Sequence, residues 1–269
     1  MNEALSVPSK SIPHRRWYLS RLHVTWLLLF VLPVAISTGI YAAGSKPDRY
    51  YEARWSSSGL LPPAASDPEP RVIVFTARTG SWRSIFAVHS WIVVKPRNGQ
   101  YTRYEVTGFG DPVRINRIAP DAYWFSYSPE IVGDIRGELA ERAIPKIEDA
   151  IRSYTYIRRG DYRIWPGPNS NTFVATVLRA VPEFEVALPP TAIGKDFRAD
   201  YSFVGLTPSR TGVEASLFGL LGLKAGWVEG VEVNLFTLVA GLDLRHPAIK
   251  LPGLGRIGVF DFSATALAR

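Results

Sequence analysis

The sequence predicts an α+β protein held at a membrane by a single N-terminal helix. Three observations lead there: a long uncharged apolar run near the N-terminus, short β-branched and aromatic segments divided by turn residues, and only two later stretches with helical periodicity. The chain has 269 residues, 46% hydrophobic and 12% aromatic, which suffices for one ordinary domain with appendages and excludes a disordered chain. Its formal charge of +7 is spread over the whole length. Cysteine is absent, so thiolate nucleophiles, disulfides, Cys-ligated zinc and iron–sulfur clusters are excluded together.

Residues 24–43, VTWLLLFVLPVAISTGIYAA, carry no charge. As a helix, a run of this length crosses ~30 Å of hydrocarbon, with Pro33 a tolerable kink. The basic segment 1–23 precedes it, with Lys10, Arg15, Arg16 and Arg21 against Glu3, while mixed charges follow, so the positive-inside rule orients the anchor N-in and C-out. A cleaved signal peptide, with a small-residue site at Ala42-Ala43-Gly44, is the alternative, although the apolar run is long for one. Residues 1–23 take three net positive charges with them. What remains outside lacks the electrostatic basis for nucleic-acid binding, so the membrane, through residues 24–43, is the expected partner and nucleic acid is not.

Residues 44–70 hold five prolines and a serine run and read as an extended linker. Tyr50, Tyr51 and Trp55 suit either a membrane interface or packing on the domain. A core over 71–200 follows. Segments 71–77, 84–94 and 101–109 have strand composition, and Asn98-Gly99 marks a hairpin between the last two. The segment 84–94 is apolar on both faces and should be a central strand. Segments 113–119 and 122–127 read as shorter strands. From 129 to 156, Ile131, Ile135, Leu139, Ala143, Ile147 and Ile151 recur at four-residue intervals, predicting a helix divided by Pro145. A second helix is predicted over 172–181, closed by Pro182. Residues 201–269 form a Gly-rich extension, with ten glycines in 205–258, expected to be a β-hairpin or meander packed on the core, a partner or the membrane surface. Gly253, Gly255 and Gly258 match the dinucleotide fingerprint in letters, but too little chain follows for a βαβ unit, so a turn is expected.

No Gly-x-Ser-x-Gly elbow, Ser-x-x-Lys, P-loop or His-Glu-x-x-His occurs. Of four histidines, only His89 and His246 follow the apolar run, so a multi-histidine zinc centre is not expected; one histidine with carboxylates has no spacing to support it, and no metal or cofactor is assigned. His246 precedes Pro247 and reads as surface. His89 lies in the most apolar strand, where it is either a satisfied core residue or a catalytic base. In 165–174, WPGPNSNTFV, a Gly-Pro turn delivers Asn169-Ser170-Asn171 to a helix N-terminus. Free N–H groups there can hold an oxyanion, yet Ser and Asn are also ordinary N-caps. Tyr101, Arg103, Glu105 and Thr107 share one face of the strand beside His89, which makes Glu105 either the carboxylate that orients the imidazole or a surface charge.

His89 on a core strand, followed some eighty residues later by Asn-Ser-Asn-Thr-Phe-Val at a helix start, resembles the circularly permuted branch of the NlpC/P60 papain-like superfamily. That branch includes the lecithin:retinol acyltransferase-like and PPPDE families. The resemblance implies an antiparallel sheet with helices, Ser170 in the nucleophile's place where relatives have cysteine, His89 as base and Glu105 as its partner. Trp91, Arg163, Trp165, Asn169 and Asn171 would line the substrate cleft. Over about 50–260 the chain is similar to a bacterial family of proteins of unknown function, DUF3750. The similarity runs through Ile85-Phe-Ala-Val-His89-Ser-Trp91, Tyr101-Thr-Arg-Tyr-Glu105-Val, Trp165 to Phe173, Gly205-Leu-Thr-Pro-Ser209 and Leu251 to Gly258. A bacterial origin makes the anchor an inner-membrane one and the C-terminal part periplasmic. Two functions are then expected. One is a serine-dependent hydrolase or acyltransferase acting on cell-envelope peptide, such as that of peptidoglycan, or on lipid acyl groups. The other is a non-catalytic envelope module that binds through the same cleft or through the apolar extension.

Overall fold

The computed structural model of the chain describes residues 21–44 and 49–258. Helix α1 (Arg21–Ala43) is the apolar segment predicted above. It passes through a π-helical turn at Leu27–Val31, immediately before Pro33, whose ring and missing N–H disturb the turn that precedes it. Phe30, Pro33 and Ser37 form its buried face, while Leu22, Leu28, Leu32, Ile36 and Ile40 are exposed.

Five antiparallel strands, β1 (Arg71–Arg78), β2 (Val88–Lys95), β3 (Thr102–Val106), β4 (Val113–Ile115) and β5 (Glu130–Arg136), form the first sheet in the order β4-β3-β2-β1-β5. Nearly all of β1 and every residue of β2 are buried, as the uniformly apolar sequence of a central strand requires. Helices α2 (Gly137–Arg152) and α3 (Ser170–Leu178) cover one face, where Val72, Val74, Ile92 and Val94 meet Ala143, Ile147, Phe173 and Val177. Ile73, Phe75, Trp91 and Val93 point to the other face, which is closed by Trp124 and by Trp55 from the segment before β1. Tyr50 stacks against Trp55 with ring centroids 4.6 Å apart, while Tyr51 is exposed.

The first sheet departs from the sequence reading in three places. Residues 81–85 form a 3₁₀ turn, and β2 starts at Val88. Residues 122–127 form turns tied by isolated bridges instead of a strand. The predicted helix over 129–156 is β5 followed by α2: Ile131 and Ile135 pair with Phe75 and Val72 across a bulge, so their four-residue spacing belongs to a strand. Gly137, at φ +62°, turns the chain between the two elements. Pro145 does not divide α2; it lies on the exposed side, where water can serve the carbonyl it leaves unpaired.

The second sheet is an antiparallel meander of seven strands in sequential order. Its members are β6 (Val204–Leu206), β7 (Gly212–Leu217), β8 (Leu221–Gly226), β9 (Gly230–Leu235), β10 (Leu238–Asp243), β11 (Ala248–Leu251) and β12 (Gly255–Gly258). Gly253 lies in the turn expected of that motif, whereas Gly255 and Gly258 bound the strand β12. One register row crosses every strand with apolar residues, from Leu206/Val213 through Ala225/Val231 to Leu242/Ile249 and on to Ile257. The neighbouring row, on the opposite face, reads Glu214, Lys224, Glu232, Gly241, Lys250 and Arg256. The charged row faces the body of the protein: Glu214, Lys224, Glu232 and Lys250 are buried, whereas Val213, Leu223, Val231 and Leu242 are exposed.

Candidate functional site

β2 carries His89 and Ser90 side by side, and a strand sends consecutive side chains to opposite faces. His89 faces the aromatic side. Its ring stacks on Trp124 with centroids 3.8 Å apart and planes at 10°, and on Trp91 at 5.8 Å. Nε2 donates to Glu105 Oε2 at 2.9 Å, and the same oxygen accepts from Arg103 Nη2 at 2.7 Å. The Arg103 guanidinium lies 4.0 Å from the centroid of the Trp91 ring and donates from Nη1 to the Ala119 carbonyl at 3.2 Å. His89, Glu105 and Arg103 are 3%, 1% and 0% exposed, so the trio is a closed polar knot inside aromatic walls.

Burial pushes the His89 pKa down against the upward pull of Glu105. For Glu105, burial acts upward, but the hydrogen bond from His89 and the charge of Arg103 overcome it and hold the carboxyl at about 2. At neutral pH the imidazole is therefore neutral and the carboxylate ionised. A carboxylate only accepts, so the proton sits on Nε2.

Ser90 points the other way, to α3. Its hydroxyl donates to Asn171 Oδ1 at 2.6 Å, and Asn171 Nδ2 donates to the carbonyls of Val88 at 2.9 Å and Ile193 at 2.8 Å. Asn169 caps α3: Oδ1 accepts from the amides of Asn171 and Thr172, and Thr172 Oγ1 returns a bond to the Asn169 amide. Asn169 Nδ2 donates to the carbonyls of Ile164 and Ile193 at 3.1 and 3.0 Å. Gly194, at φ +94°, allows this approach, because a Cβ there would lie 2.3 Å from Asn169 Nδ2. Both asparagine amides are thus fully used within the fold.

Ser170, 3% exposed, is the first residue of α3. The Tyr162 hydroxyl faces its hydroxyl and its amide; burial raises the Tyr162 pKa, and these two donors oppose the rise. Of the three residues in the expected catalytic set, His89 and Glu105 are joined, while Ser170 starts the helix on the opposite face of the sheet. The remaining residues scatter. Trp91 is buried, stacked on Phe75 and donating from Nε1 to the Pro120 carbonyl at 2.8 Å. Arg163 is exposed, and Trp165 is 52% exposed with Nε1 donating to Thr237 Oγ1 at 2.8 Å, a bond that ties the 158–169 loop to the second sheet.

Sequence reasoning did not assign roles to Arg103, Trp124 or Tyr162. Arg103 could have been found, since it shares a strand face with Glu105 two residues away. Trp124 and Tyr162 come from turn segments with no periodicity to place them. Two small clefts beneath the second sheet, both lined by Lys224 and Glu232, have room for little more than a water molecule each. Among the described residues no group of His, Asp and Glu is arranged to hold a metal ion.

Fold and site together define an α+β protein with two antiparallel sheets, a candidate membrane-spanning helix and a buried His–Glu–Arg knot. Residues 69–197 match the model of DUF3750, a family of proteins of unknown function. No curated protein and no solved structure is significantly similar to the chain.

Proposed function

We propose that the protein is a membrane-anchored module of the bacterial cell envelope, N-in and C-out, whose DUF3750 core binds or scaffolds without turning over a substrate. The observation that carries this reading is the division of the site by β2. His89 faces Trp124 and Glu105, and the next residue, Ser90, faces the helix that Ser170 opens. A serine nucleophile needs a base within hydrogen-bond reach of its hydroxyl. Here the hydroxyl meets Tyr162, and the imidazole is enclosed by aromatic rings. On this reading Asn169 and Asn171 are structural joints, and the polar knot fixes β3 to β2.

The hydrolase reading retains one observation in its favour, the His89–Glu105 bond, which is how a carboxylate orients a catalytic imidazole. Treating the purified full-length protein with a fluorophosphonate and mapping adducts by mass spectrometry separates the two. The module reading predicts no adduct on Ser170. A stoichiometric Ser170 adduct that disappears in His89→Gln would replace it with the hydrolase.

A further inference from the structure

The second sheet is inside-out for a protein surrounded by water. An antiparallel sheet with one solvated face ordinarily turns its polar residues outward. Here the outward rows hold only apolar residues and the inward row carries the charges. Lys250 Nζ is 2.7 Å from Glu232 Oε1, Lys224 Nζ is 2.8 Å from Asp196 Oδ1, and Lys195 Nζ is 2.5 Å from Glu232 Oε2. Val213 is 59% exposed and Leu223 is 63% exposed, with no polar residue between them on that face. Seven strands at ~4.8 Å spacing and strands of up to six residues at ~3.3 Å rise make this face about 29 Å by 20 Å. Soluble monomers rarely expose a continuous apolar patch beyond roughly a few hundred Å².

The position of α1 identifies what covers it. The segment Leu27–Val31, well inside the apolar helix, lies against β10, where Ala240, on the outward side, is buried. Further along the helix, Ser37 Oγ donates to the carbonyls of Ile85 at 2.7 Å and Gly253 at 3.2 Å, the latter in the β11–β12 turn. The apolar sheet face therefore sits at the depth of the middle of α1 and continues the helix's own exposed surface. Aromatic residues mark both ends of the sheet, Phe218 and Phe236 in the turns at one end and Trp227 at the other, the arrangement of interfacial girdles on lipid-facing sheets. The edge strand β6 is only three residues long, and its Leu206 carbonyl accepts from Arg179 Nη1 at 2.8 Å, which limits unpaired backbone at that edge.

We infer that the outward face of the seven-stranded sheet is immersed in the hydrocarbon of the bilayer crossed by α1, so that the protein enters the membrane by a helix and a sheet together. The inference rests on the reading of α1 as a membrane span. It explains the polarity of the sheet, because lipid reverses the sense in which apolar and charged faces are placed.

The absence of native cysteine allows a direct test. Single cysteines at Leu223, Val233 and Ile249 on the sheet, Leu28 and Ile36 on the helix, and Arg142 on the exposed side of α2 are spin-labelled in the full-length protein. Each is reconstituted in vesicles of phosphatidylethanolamine and phosphatidylglycerol. Collision rates with oxygen, which partitions into lipid, and with a water-soluble nickel chelate are then compared. Sheet and helix labels should both favour oxygen several-fold, and the Arg142 label should favour nickel. Helix labels in lipid with sheet labels open to nickel overturn the sheet proposal alone. The same is true of sheet labels shielded from both reagents, as a second copy or a protein partner would shield them. Helix labels open to nickel remove the anchor reading itself.

Discussion

Glu105→Gln isolates the energetics of the buried knot. The substitution keeps the size of the side chain and removes the charge that faces both His89 and Arg103. Arg103, fully buried, is left without its carboxylate. Removing one partner of a buried pair costs about 3–5 kcal/mol. A second route gives a similar size. The folded carboxyl titrates at about 2 against an ordinary 4.5. That difference corresponds to stabilisation on the order of 3 kcal/mol. Because the folded pKa is depressed, the contribution is complete above the unfolded value and is lost as pH falls toward about 2. Thermal unfolding of the full-length protein, followed by near-UV circular dichroism at neutral pH, should show the variant's Tm lowered by about 6–12 °C for a loss of about 3 kcal/mol, taking roughly 2–4 °C per kcal/mol. The variant should also lose less further stability than wild type when the pH is lowered from about 5 to about 3. A Tm within about 1 °C of wild type would mean that Arg103 is hydrated or paired elsewhere and that the knot contributes no such stability.

Three other expectations follow from named contacts. Asn171→Ala removes the side chain that joins α3 to β2 and to the Ile193 carbonyl, and leaves buried partners unpaired, so destabilisation of about 3 kcal/mol is expected in chemical denaturation. His89 has a folded pKa below its unfolded one, so it contributes stability above the unfolded value that is lost as pH falls below it. Between pH of about 7 and 5, His89→Gln should therefore flatten the Tm-versus-pH curve. Ser37→Leu deletes the hydroxyl that ties α1 to the Ile85 and Gly253 carbonyls, and amide hydrogen exchange should rise over 81–87 and 251–255 while the far strands β6 and β7 keep their protection.

Composition marks β1 as a strand, and the central place of β2 is legible because residues apolar on both alternating faces can only be buried on both sides. Periodicity failed at β5, where Ile131 and Ile135 carry a spacing that suits a helix or a bulged strand equally, and the decision came from pairing with β1 and the turn at Gly137. The Asn-Gly hairpin correctly set β3 beside β2 and so brought Glu105 within reach of His89. The side of β2 on which Ser170 would arrive was hidden, because one residue decides it and the linear spacing between His89 and Ser170 contains no such information. The Gly-rich extension reads from sequence as a β-hairpin or meander and is a meander, but its inverted polarity is not legible, because alternation alone cannot say which face turns outward.

The His89 imidazole itself reports whether it stands apart from Ser170. Nitrogen-15 spectra of the histidine-labelled full-length protein, with His89 assigned by loss of its signals in His89→Gln, should show at neutral pH a neutral ring protonated at Nε2. Both nitrogen shifts should be unchanged in Ser170→Ala. An Nδ1 shift that moves when the Ser170 hydroxyl is removed would place serine and histidine in one hydrogen-bonded pair and overturn their separation, and a ring protonated at Nδ1 would overturn the Nε2–Glu105 bond.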